Sequence, residues 1–367
     1  MSTIQTTNIK SAASVSNNIV LDGSGNAAFA GNVTAAGNVT STGMVVPSSS
    51  FLRNRIINGD MRIDQRNAGA AVTNANGYVV DRFGWFYGGS GRVTAQRSTL
   101  APSGFTNSFG VTVTTTNAAP GASDFNALYQ AIEGFNTADL GWGSASAQTV
   151  TLSFWVRSSV TGAYSLAIRN NAFNRTFLAS YSVSAANTWE YKTIAIPGDT
   201  TGTWLTDNSI GLSVAWSFGA GSSFTGTAGW QAGNLNQLSG ATNLMATNGA
   251  TLHLTGVQLE VGTAATPFER RQFGQELALC QRYYESAYNI WSGYTNGASP
   301  YYLITTYKVT KRAAASISLL NTNNSGFPNT AATVGVNTEQ FFRVDPISNA
   351  SSTAAFYQFN WVASAEL

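Results

Sequence analysis

The sequence predicts an all-β protein whose largest domain is a sandwich or a barrel. Short alternating segments bounded by Gly, Asn, Ser and Pro follow one another from Phe51 to about Phe268, as in such folds. No amphipathic helix longer than three turns interrupts them, which disfavours a parallel α/β fold or a nucleotide-binding βαβ unit. The 43% hydrophobic and 12% aromatic residues are ample for buried cores in two or three domains.

The region 51–270 contains six segments that alternate like strands, and the clearest has the sequence TVTLSFWVR. Trp155, between Phe154 and Val156 in that segment, is expected in the core or at its edge. The six predicted strands are Thr149–Arg157, Tyr164–Arg169, Thr176–Val183, Trp189–Ile196, Ile210–Phe218 and Thr251–Glu260.

One helix is predicted, at Phe273–Glu285 within a linker of residues 271–285. Apolar and amphipathic positions recur there at three-four spacing. After the helix, residues 286–367 alternate again, enough for a small C-terminal β-sandwich tip domain. The strands predicted in the tip are Tyr301–Thr306, Lys308–Arg312, Ser316–Leu319, Gln340–Val344 and Phe356–Val362.

Residues 1–50 form a separate segment with two charged side chains and neither Trp nor Tyr, so one chain cannot build a globular core there. Gly25, Gly31, Gly37 and Gly43 fall six residues apart, which is similar to the Gly-punctuated strands of β-solenoids and fibre shafts. A flexible low-complexity linker is the alternative. We expect strands that wind around partner chains and begin the axis of a homotrimer.

Charge and composition exclude several kinds of partner. Charged residues make up 10% of the chain and the net charge is +2, with no basic run, so neither nucleic acid nor an anionic membrane is expected as a partner. No apolar stretch reaches the roughly eighteen residues of a membrane span, so membrane insertion is not expected. Cys280 and His253, each the only one of its kind, exclude an intrachain disulfide and a zinc-type cluster within one chain.

Five sequence segments between residues 54 and 269 form an ordered set. They are NRIINGDM at 54–61, GYVVDRFGW at 77–85, TLSFWVRSS at 151–159, WEYKTIAIPGDTTGTW at 189–204 and LHLTGVQLEVGTAATPFE at 252–269. Together they resemble the carbohydrate-binding jelly-roll module, of the family 4/9 type, that is embedded in many tail and tail-fibre proteins of tailed bacteriophages. ELALCQRYYE at 276–285 is similar to the linker of those proteins. The resemblance covers about residues 54–284.

The resemblance implies a structural virion protein, a tail fibre or receptor-binding protein whose jelly roll (51–270) attaches to host cell-surface polysaccharide. Residues 1–50 would then contact other tail or virion proteins, and the protein would be assembled in the host cytoplasm and work in the virion. A purely structural tail or capsid-decorating fibre is the first alternative. A polysaccharide-degrading tailspike is the second.

Modules of this type commonly hold a structural calcium near an acidic residue that follows the Asn-Gly pair. Asp60 follows Asn58 and Gly59 here, but the usual glutamate is missing. Asp60 is therefore the one carboxylate left as a candidate calcium ligand. Because calcium needs six to eight oxygen ligands, no cofactor is expected.

Catalytic chemistry has little support in the sequence. Glycosidic hydrolysis needs two suitably spaced carboxyl groups. The nearest acid pairs, Asp60 with Asp64 and Asp199 with Asp207, lie in turn-rich segments, where carboxylates usually cap turns. No nucleophile motif accompanies His253. We therefore expect no enzymatic activity.

Two groups of residues are candidates for glycan contact. Trp142, Trp204 and Trp230 lie beside glycines in loop-like contexts, and a flat indole stacks on a sugar ring; packing between subunits is the alternative. The second group lies in the segment IRNNAFNRT, which crowds polar donors into a turn. Its members Arg169, Asn170 and Asn171 are predicted to reach a glycan, and a solvated turn is the alternative.

Overall fold

The computed structural model describes residues 8–9, 19–21, 27–29, 53–327, 332–349 and 351–367. The chain divides into two units, Met1–Ser49 and Ser50–Leu367. In the first unit, β1 (Asn8–Ile9), β2 (Ile19–Leu21) and β3 (Ala27–Phe29) form an antiparallel sheet in that order. The glycines of the six-residue repeat, Gly25, Gly31, Gly37 and Gly43, lie outside the described residues. The repeat, its attachment role and the trimer axis therefore stay predictions.

Two antiparallel sheets face each other in the first part of the second unit and form a jelly-roll type of sandwich. One has six strands in the order β13-β10-β18-β8-β7-β4, the other seven in the order β16-β12-β11-β14-β9-β6-β5, and β15 pairs with β17 apart from both. The strands are β4 (Val72–Thr73), β5 (Gly77–Val80), β6 (Phe83–Gly88), β7 (Arg92–Ser98), β8 (Ser108–Thr115), β9 (Phe125–Glu133), β10 (Val150–Ser158), β11 (Gly162–Arg169), β12 (Arg175–Val183), β13 (Glu190–Ile196), β14 (Ile210–Ala220), β15 (Thr225–Gly226), β16 (Gly229–Ala232), β17 (Gln237–Leu238) and β18 (Thr251–Val261). Short 3₁₀ helices occupy Gly134–Asn136, Ala138–Leu140, Ser222–Phe224 and Leu244–Ala246.

Alternation along β10 explains the core of the sandwich. Leu152, Phe154 and Val156 are fully buried between the two sheets. Phe154 meets Trp216 of β14 edge to face, with ring centroids 5.7 Å apart. Burying an aromatic ring in this way stabilises a fold by about 3–5 kcal/mol relative to alanine. Strands are the main regular structure of the described residues, beside one α-helix and a few short 3₁₀ helices, which confirms the predicted all-β class.

Trp155 lies on the outer face of the six-stranded sheet, so its predicted core position is wrong. Successive residues of a strand face opposite sides of a sheet, and the burial of Phe154 therefore turns Trp155 outward. The Trp155 ring is half-buried there and packs against Tyr191 of β13, with ring centroids 5.3 Å apart.

The α-helix α1 (Phe273–Gln281) has nine residues and ends four residues before the predicted end. It ends early because Tyr284 already pairs with Ser364 in the next sheet, which requires extended backbone. Cys280 and Tyr283 are buried against Ile57 and Ile63, so the segment packs on the jelly roll and is not a free linker. Within the described ranges, no helix has the length and apolar character needed to cross a membrane.

The C-terminal part of the chain consists of two three-stranded antiparallel sheets, in the orders β19-β24-β21 and β20-β23-β22. Phe342 of one sheet meets Trp361 of the other, with ring centroids 5.2 Å apart, in a core of their own. The strands are β19 (Tyr284–Thr295), β20 (Leu303–Thr306), β21 (Ser316–Ser325), β22 (Thr333–Asn337), β23 (Phe341–Asp345) and β24 (Ser352–Ser364).

The predicted strand Lys308–Arg312 is irregular in the structure. Its Lys311 is fully buried, and the ammonium group donates to the Glu285 carboxylate at 2.6 Å and to the Gln281 carbonyl oxygen at 2.5 Å. The segment is therefore held by a buried ion pair at the base of the C-terminal sheets rather than by pairing with a neighbouring strand.

Candidate functional site

The candidate site lies on the outer face of the seven-stranded sheet. Along β9, Leu128 belongs to the core between the sheets while Tyr129 lies on the opposite face. Ala131, Ala167 and Ala215, on the neighbouring strands β9, β11 and β14, share that face with Tyr129. Their small side chains leave room above the sheet, and longer side chains from the surrounding loops enclose it.

The enclosed space, which we call the Arg169 cavity, has a volume of about 410 Å³. This is within the range of about 300–1,000 Å³ that is usual for small-molecule sites. Five aromatic rings, one cation and two amides dominate its wall, a combination of apolar surface and few polar groups that suits a ligand of mixed polarity. The lining residues are Phe86, Phe125, Ala127, Tyr129, Arg169, Phe173, Ile210, Phe224, Asn234, Asn236 and Leu367.

Arg169 lies at the end of β11 and is 8% exposed. Its guanidinium donates to the Oδ1 atoms of Asn234 at 3.0 Å and Asn236 at 2.6 Å. The same group stands 4.9 Å from the centroid of the Phe173 ring. Burial lowers the pKa of Arg169 to about 10, so the guanidinium remains charged at neutral pH.

Asn170 is fully buried and its side chain is engaged in internal hydrogen bonds, so its contact with a glycan stays a prediction without support from the geometry. Its Oδ1 accepts from the backbone N–H groups of Asn174 and Arg175 at 3.1 and 3.2 Å, and its Nδ2 donates to the Thr203 carbonyl oxygen at 3.1 Å. These bonds fold the turn that carries Phe173, whose φ is +50°. Asn170 thus positions a wall of the cavity without facing it.

Of the remaining polar candidates, Arg169 is in the cavity and Asn171 is not. Asn171 is half-buried and does not line the cavity. A solvated turn, the alternative considered for this segment, describes Asn171 better than it describes Asn170.

The three candidate tryptophans do come together, in a tryptophan cluster at the edge of the sandwich. The ring centroids of Trp142, Trp204 and Trp230 are 4.8, 5.4 and 5.6 Å apart, and each pair is edge to face. All three rings are half-buried against the core. The small cavity beneath Trp142 and Trp204, of about 20 Å³, holds no more than about one water molecule.

Each indole N–H of the tryptophan cluster already has a partner. Trp142 donates to the Gln148 carbonyl oxygen at 2.8 Å, and Trp230 donates to that of Pro197 at 2.8 Å. Trp204 donates to the carboxylate of Asp199 at 3.1 Å. The cluster is separate from the Arg169 cavity, and glycan contact by it stays a prediction.

The carboxyl groups considered for catalysis or calcium are occupied by internal contacts. Asp60 is buried and forms an ion pair with Arg62 at 2.5 Å. Asp64 accepts from the backbone N–H groups of Asn67 at 2.9 Å and Gly69 at 2.6 Å, as a turn cap does. Among the residues that the structure describes, no group of three or more His, Cys, Asp and Glu could hold a metal ion. Calcium binding at Asp60 stays a prediction from the sequence.

The second acid pair is held in the ionised form. Burial alone would raise the pKa of Asp199, but hydrogen bonds from Arg175 and Trp204 and the charge of Arg175 hold it below its usual value. Backbone and side-chain hydrogen bonds from Ser209 lower the pKa of Asp207. Neither carboxyl group is suited to donate a proton near neutral pH.

His253 approaches Ser108 but does not form a nucleophile pair with it. The Ser108 hydroxyl lies 3.2 Å from Nδ1 of His253 and donates its proton to the Leu100 carbonyl oxygen at 2.6 Å. Burial, and then the charge of Arg157, lower the pKa of His253 to about 4. The imidazole is thus neutral, and the hydroxyl is committed to the backbone.

Sequence reasoning identified Arg169 and missed the rest of the cavity. Tyr129 carried a detectable signal, because alternation in FNALYQAIE places it on the face opposite Leu128. Phe173, Asn234 and Asn236 lie in loops and carried none. Their side chains reach the cavity only through the pairing of β11, β12 and β16.

No protein-family model matches the chain, and no curated protein matches it. Among solved structures it is similar to the enzymatically active domain of tailspike protein 4 of bacteriophage CBA120, with a TM-score of 0.32 and 12% identity over 57% of this chain and 22% of that one. It is also similar to the family 11 carbohydrate-binding module of a cellulosomal cellulase of Clostridium thermocellum, with a TM-score of 0.28 and 14% identity over 54% of this chain and 99% of that one. A family 4 carbohydrate-binding module gives a TM-score of 0.30 and 12% identity over 56% and 98% of the two chains. All three TM-scores are below 0.5.

Proposed function

We propose that this chain is a carbohydrate-binding structural protein of a tailed bacteriophage, a tail fibre or receptor-binding protein that holds host surface polysaccharide in the Arg169 cavity. The ordered set of five segments between residues 54 and 269 supports the phage and carbohydrate-binding parts of the proposal. Under it, the protein works in the virion, and residues 1–50 contact other virion proteins.

The wall of the Arg169 cavity is the observation that carries the binding proposal. Aromatic faces such as those of Tyr129 and Phe173 stack on the C–H face of a sugar ring. The guanidinium of Arg169 and the amides of Asn234 and Asn236 provide hydrogen-bonding groups for hydroxyl oxygens. Stacking surface and convergent polar groups within one cavity are what a sugar-binding site requires.

The same wall favours binding without hydrolysis. Glycoside hydrolysis by the usual mechanism needs two carboxyl groups beside the glycosidic bond. None of the described residues that line the cavity is Asp or Glu. We therefore infer a binding protein and not a polysaccharide-degrading enzyme.

Affinity electrophoresis against a panel of bacterial capsular polysaccharides and plant β-glucans tests the binding proposal. We expect at least one polysaccharide to retard the wild-type protein. Phe173→Ala, which removes a ring from the cavity, should weaken that retardation at least about tenfold. Tyr191→Ala, a matched change on the 44% exposed ring of the opposite sheet, should leave it unchanged. Equal loss in both variants, or none in either, would place binding elsewhere.

A homotrimer is the second part of the proposal, and the C-terminal sheets support it. Ile290 on β19 and Ile304 on β20 are 58% and 63% exposed, and Tyr288, Tyr294 and Tyr302 are also exposed nearby in the chain. Exposed apolar side chains in such number are typical of subunit interfaces. This observation also favours the purely structural alternative, in which the fibre only packs.

Light scattering on the purified protein tests the assembly. We expect three times the chain mass of 38.6 kDa, and dissociation when Ile290 and Ile304 are both changed to Lys. A monomer at micromolar concentration contradicts the homotrimer. A stable trimer that binds no polysaccharide would favour the purely structural fibre.

A further inference from the structure

The Arg169 cavity contains a buried positive charge that lacks a negative partner. Among the described residues that line the cavity, Arg169 has the one charged side chain. In the part of the chain that the structure describes, no Asp or Glu side chain lies within ion-pair distance of its guanidinium. Its bonds are to two neutral amide oxygens, and its buried Nε atom has no hydrogen-bond partner.

The other arginines that the fold buries, Arg82 and Arg271, each have an acidic partner, and so do the half-buried Arg175 and Arg282. Arg82 pairs with Glu366, Arg271 with Glu276 and Arg282 with Glu133. Arg175, beside the tryptophan cluster, pairs with Asp199 at 2.7 Å. Both other buried guanidinium groups in the described residues thus have a counter-ion, whereas that of Arg169, at the wall of the cavity, has none among the described side chains.

Leaving a charge in a poorly solvated site without a partner is unfavourable, so the ligand is expected to supply the missing negative charge. We propose that the Arg169 cavity binds a sugar that carries a carboxylate, as in a uronic-acid-containing polysaccharide, with the carboxylate paired to the Arg169 guanidinium. The inference rests on the proposed carbohydrate-binding function and narrows its substrate class. A planar guanidinium matches a carboxylate with two parallel hydrogen bonds.

The neighbouring groups fit an acidic sugar. Among the described residues that line the cavity, no side chain is acidic. Asn234 and Asn236 turn their oxygens toward Arg169, which leaves their Nδ2 groups to donate to carboxylate or hydroxyl oxygens. The ring of Phe173, which lies under the guanidinium, offers a face for the sugar ring beside its carboxylate.

Chemical reduction of its carboxyl groups removes the negative charge of a polysaccharide and keeps the rest of the polymer, so it tests the contribution of the charge alone. Alginate, polygalacturonate, hyaluronan and uronic-acid-containing capsular polysaccharides are each compared with their carboxyl-reduced neutral forms, by calorimetric titration of the full chain. For at least one pair we expect the acidic form to bind at least about tenfold more tightly, with a preference that shrinks as salt rises. Reduction removes carboxylates and leaves phosphate and sulfate groups. If a polymer that carries those groups binds as tightly after reduction as before, the recognised charge belongs to phosphate or sulfate, and the proposal is overturned.

Two variants assign the preference to the cavity. Arg169→Gln should bind both forms of the polysaccharide with similar affinity, and Arg169→Lys should keep part of the preference. Arg157→Gln, at an arginine on β10 outside the cavity, should keep all of it. Where Arg169→Gln fails to fold, Arg169→Lys decides: a reduced preference for the acidic form supports the inference, and an unchanged preference overturns it.

The outcomes separate this inference from the proposed function. Equal binding of acidic and reduced forms overturns the acidic-sugar inference and leaves carbohydrate binding standing. If Arg169→Gln still prefers the acidic form, the inference is also overturned, because a group other than Arg169 would then bind the carboxylate. No binding of any polymer in either form overturns the proposed function and the inference together.

Discussion

The carboxylate of Glu366 forms an ion pair with the guanidinium of Arg82, a fully buried residue of the jelly roll that lies 284 positions earlier in the chain. Arg82 also donates to the Ala131 carbonyl oxygen at 2.6 Å and lies 3.6 Å from the centroid of the Tyr283 ring. The jelly roll, the segment after α1 and the residues that follow β24 therefore meet at one buried cation.

Replacing Glu366 by Ala should lower the free energy of unfolding by about 3–5 kcal/mol, because the change leaves a buried guanidinium without its counter-ion. Urea denaturation monitored by tryptophan fluorescence measures the effect. Glu339→Ala, at an exposed glutamate of the same C-terminal sheets, is the control and should change stability by less than about 0.5 kcal/mol. Similar small effects of both changes would contradict a structural role for the Arg82–Glu366 pair.

Neighbouring aromatic residues of β10 should respond very differently to truncation. Phe154→Ala should destabilise the protein by about 3–5 kcal/mol, because it opens a cavity between the sheets. Trp155→Ala should cost roughly 1 kcal/mol, since this ring is only half-buried on the outer face, where it packs against Tyr191. Thermal and urea unfolding of the two variants give the comparison, and a larger loss for Trp155→Ala would reverse the assignment of the strand's two faces.

His253 should make stability depend on pH in acid. Its pKa is 6.5 in an unfolded chain and about 4 in the fold, so between these values the unfolded state binds a proton that the folded state does not. The free energy of unfolding therefore does not change through this group above about pH 6.5. It decreases as the pH falls from 6.5 toward 4, by roughly 3 kcal/mol in total. Other groups titrate in the same range, so the measurement is the difference between wild type and His253→Gln in urea unfolding from pH 7 to pH 4. Parallel pH profiles in the two proteins would show that His253 is not responsible.

Truncating the tryptophan cluster should affect stability more than glycan binding. Trp204→Ala removes the ring contact with Trp142 and the hydrogen bond to Asp199, which should lower the unfolding free energy by roughly 2–3 kcal/mol. Phe135→Ala, at a ring that is 61% exposed, is the control and should have little effect. Polysaccharide affinity, measured on both variants, distinguishes a stabilising role of the cluster from a role in stacking on a sugar ring. A selective loss of affinity in Trp204→Ala, with stability unchanged, would support the sugar-stacking role predicted from the sequence.

Local pattern predicted several strands and part of the core, because side-chain alternation is a property of neighbouring residues. The segment Thr251–Glu260, for example, agrees with β18 to within a residue at its end. The end of α1 was misjudged because the pairing of Tyr284 with Ser364, eighty residues away, overrides the local helical spacing. The cavity was largely beyond reach for the same reason: Tyr129, Arg169 and Asn236 meet only after strands distant in sequence have paired.

The distance along the chain between Arg82 and Glu366 also bears on how the protein is made. At roughly 5–20 residues per second, the ribosome needs about 15–60 s to add the 284 residues that separate the two charges. Throughout that interval, a sandwich that had already formed would bury the Arg82 guanidinium without its counter-ion. We therefore expect nascent chains to remain loosely packed and sensitive to proteases until Glu366 has been added. Chains that stop short of residue 366 would keep this defect permanently, and truncated products would be removed in preference to complete ones.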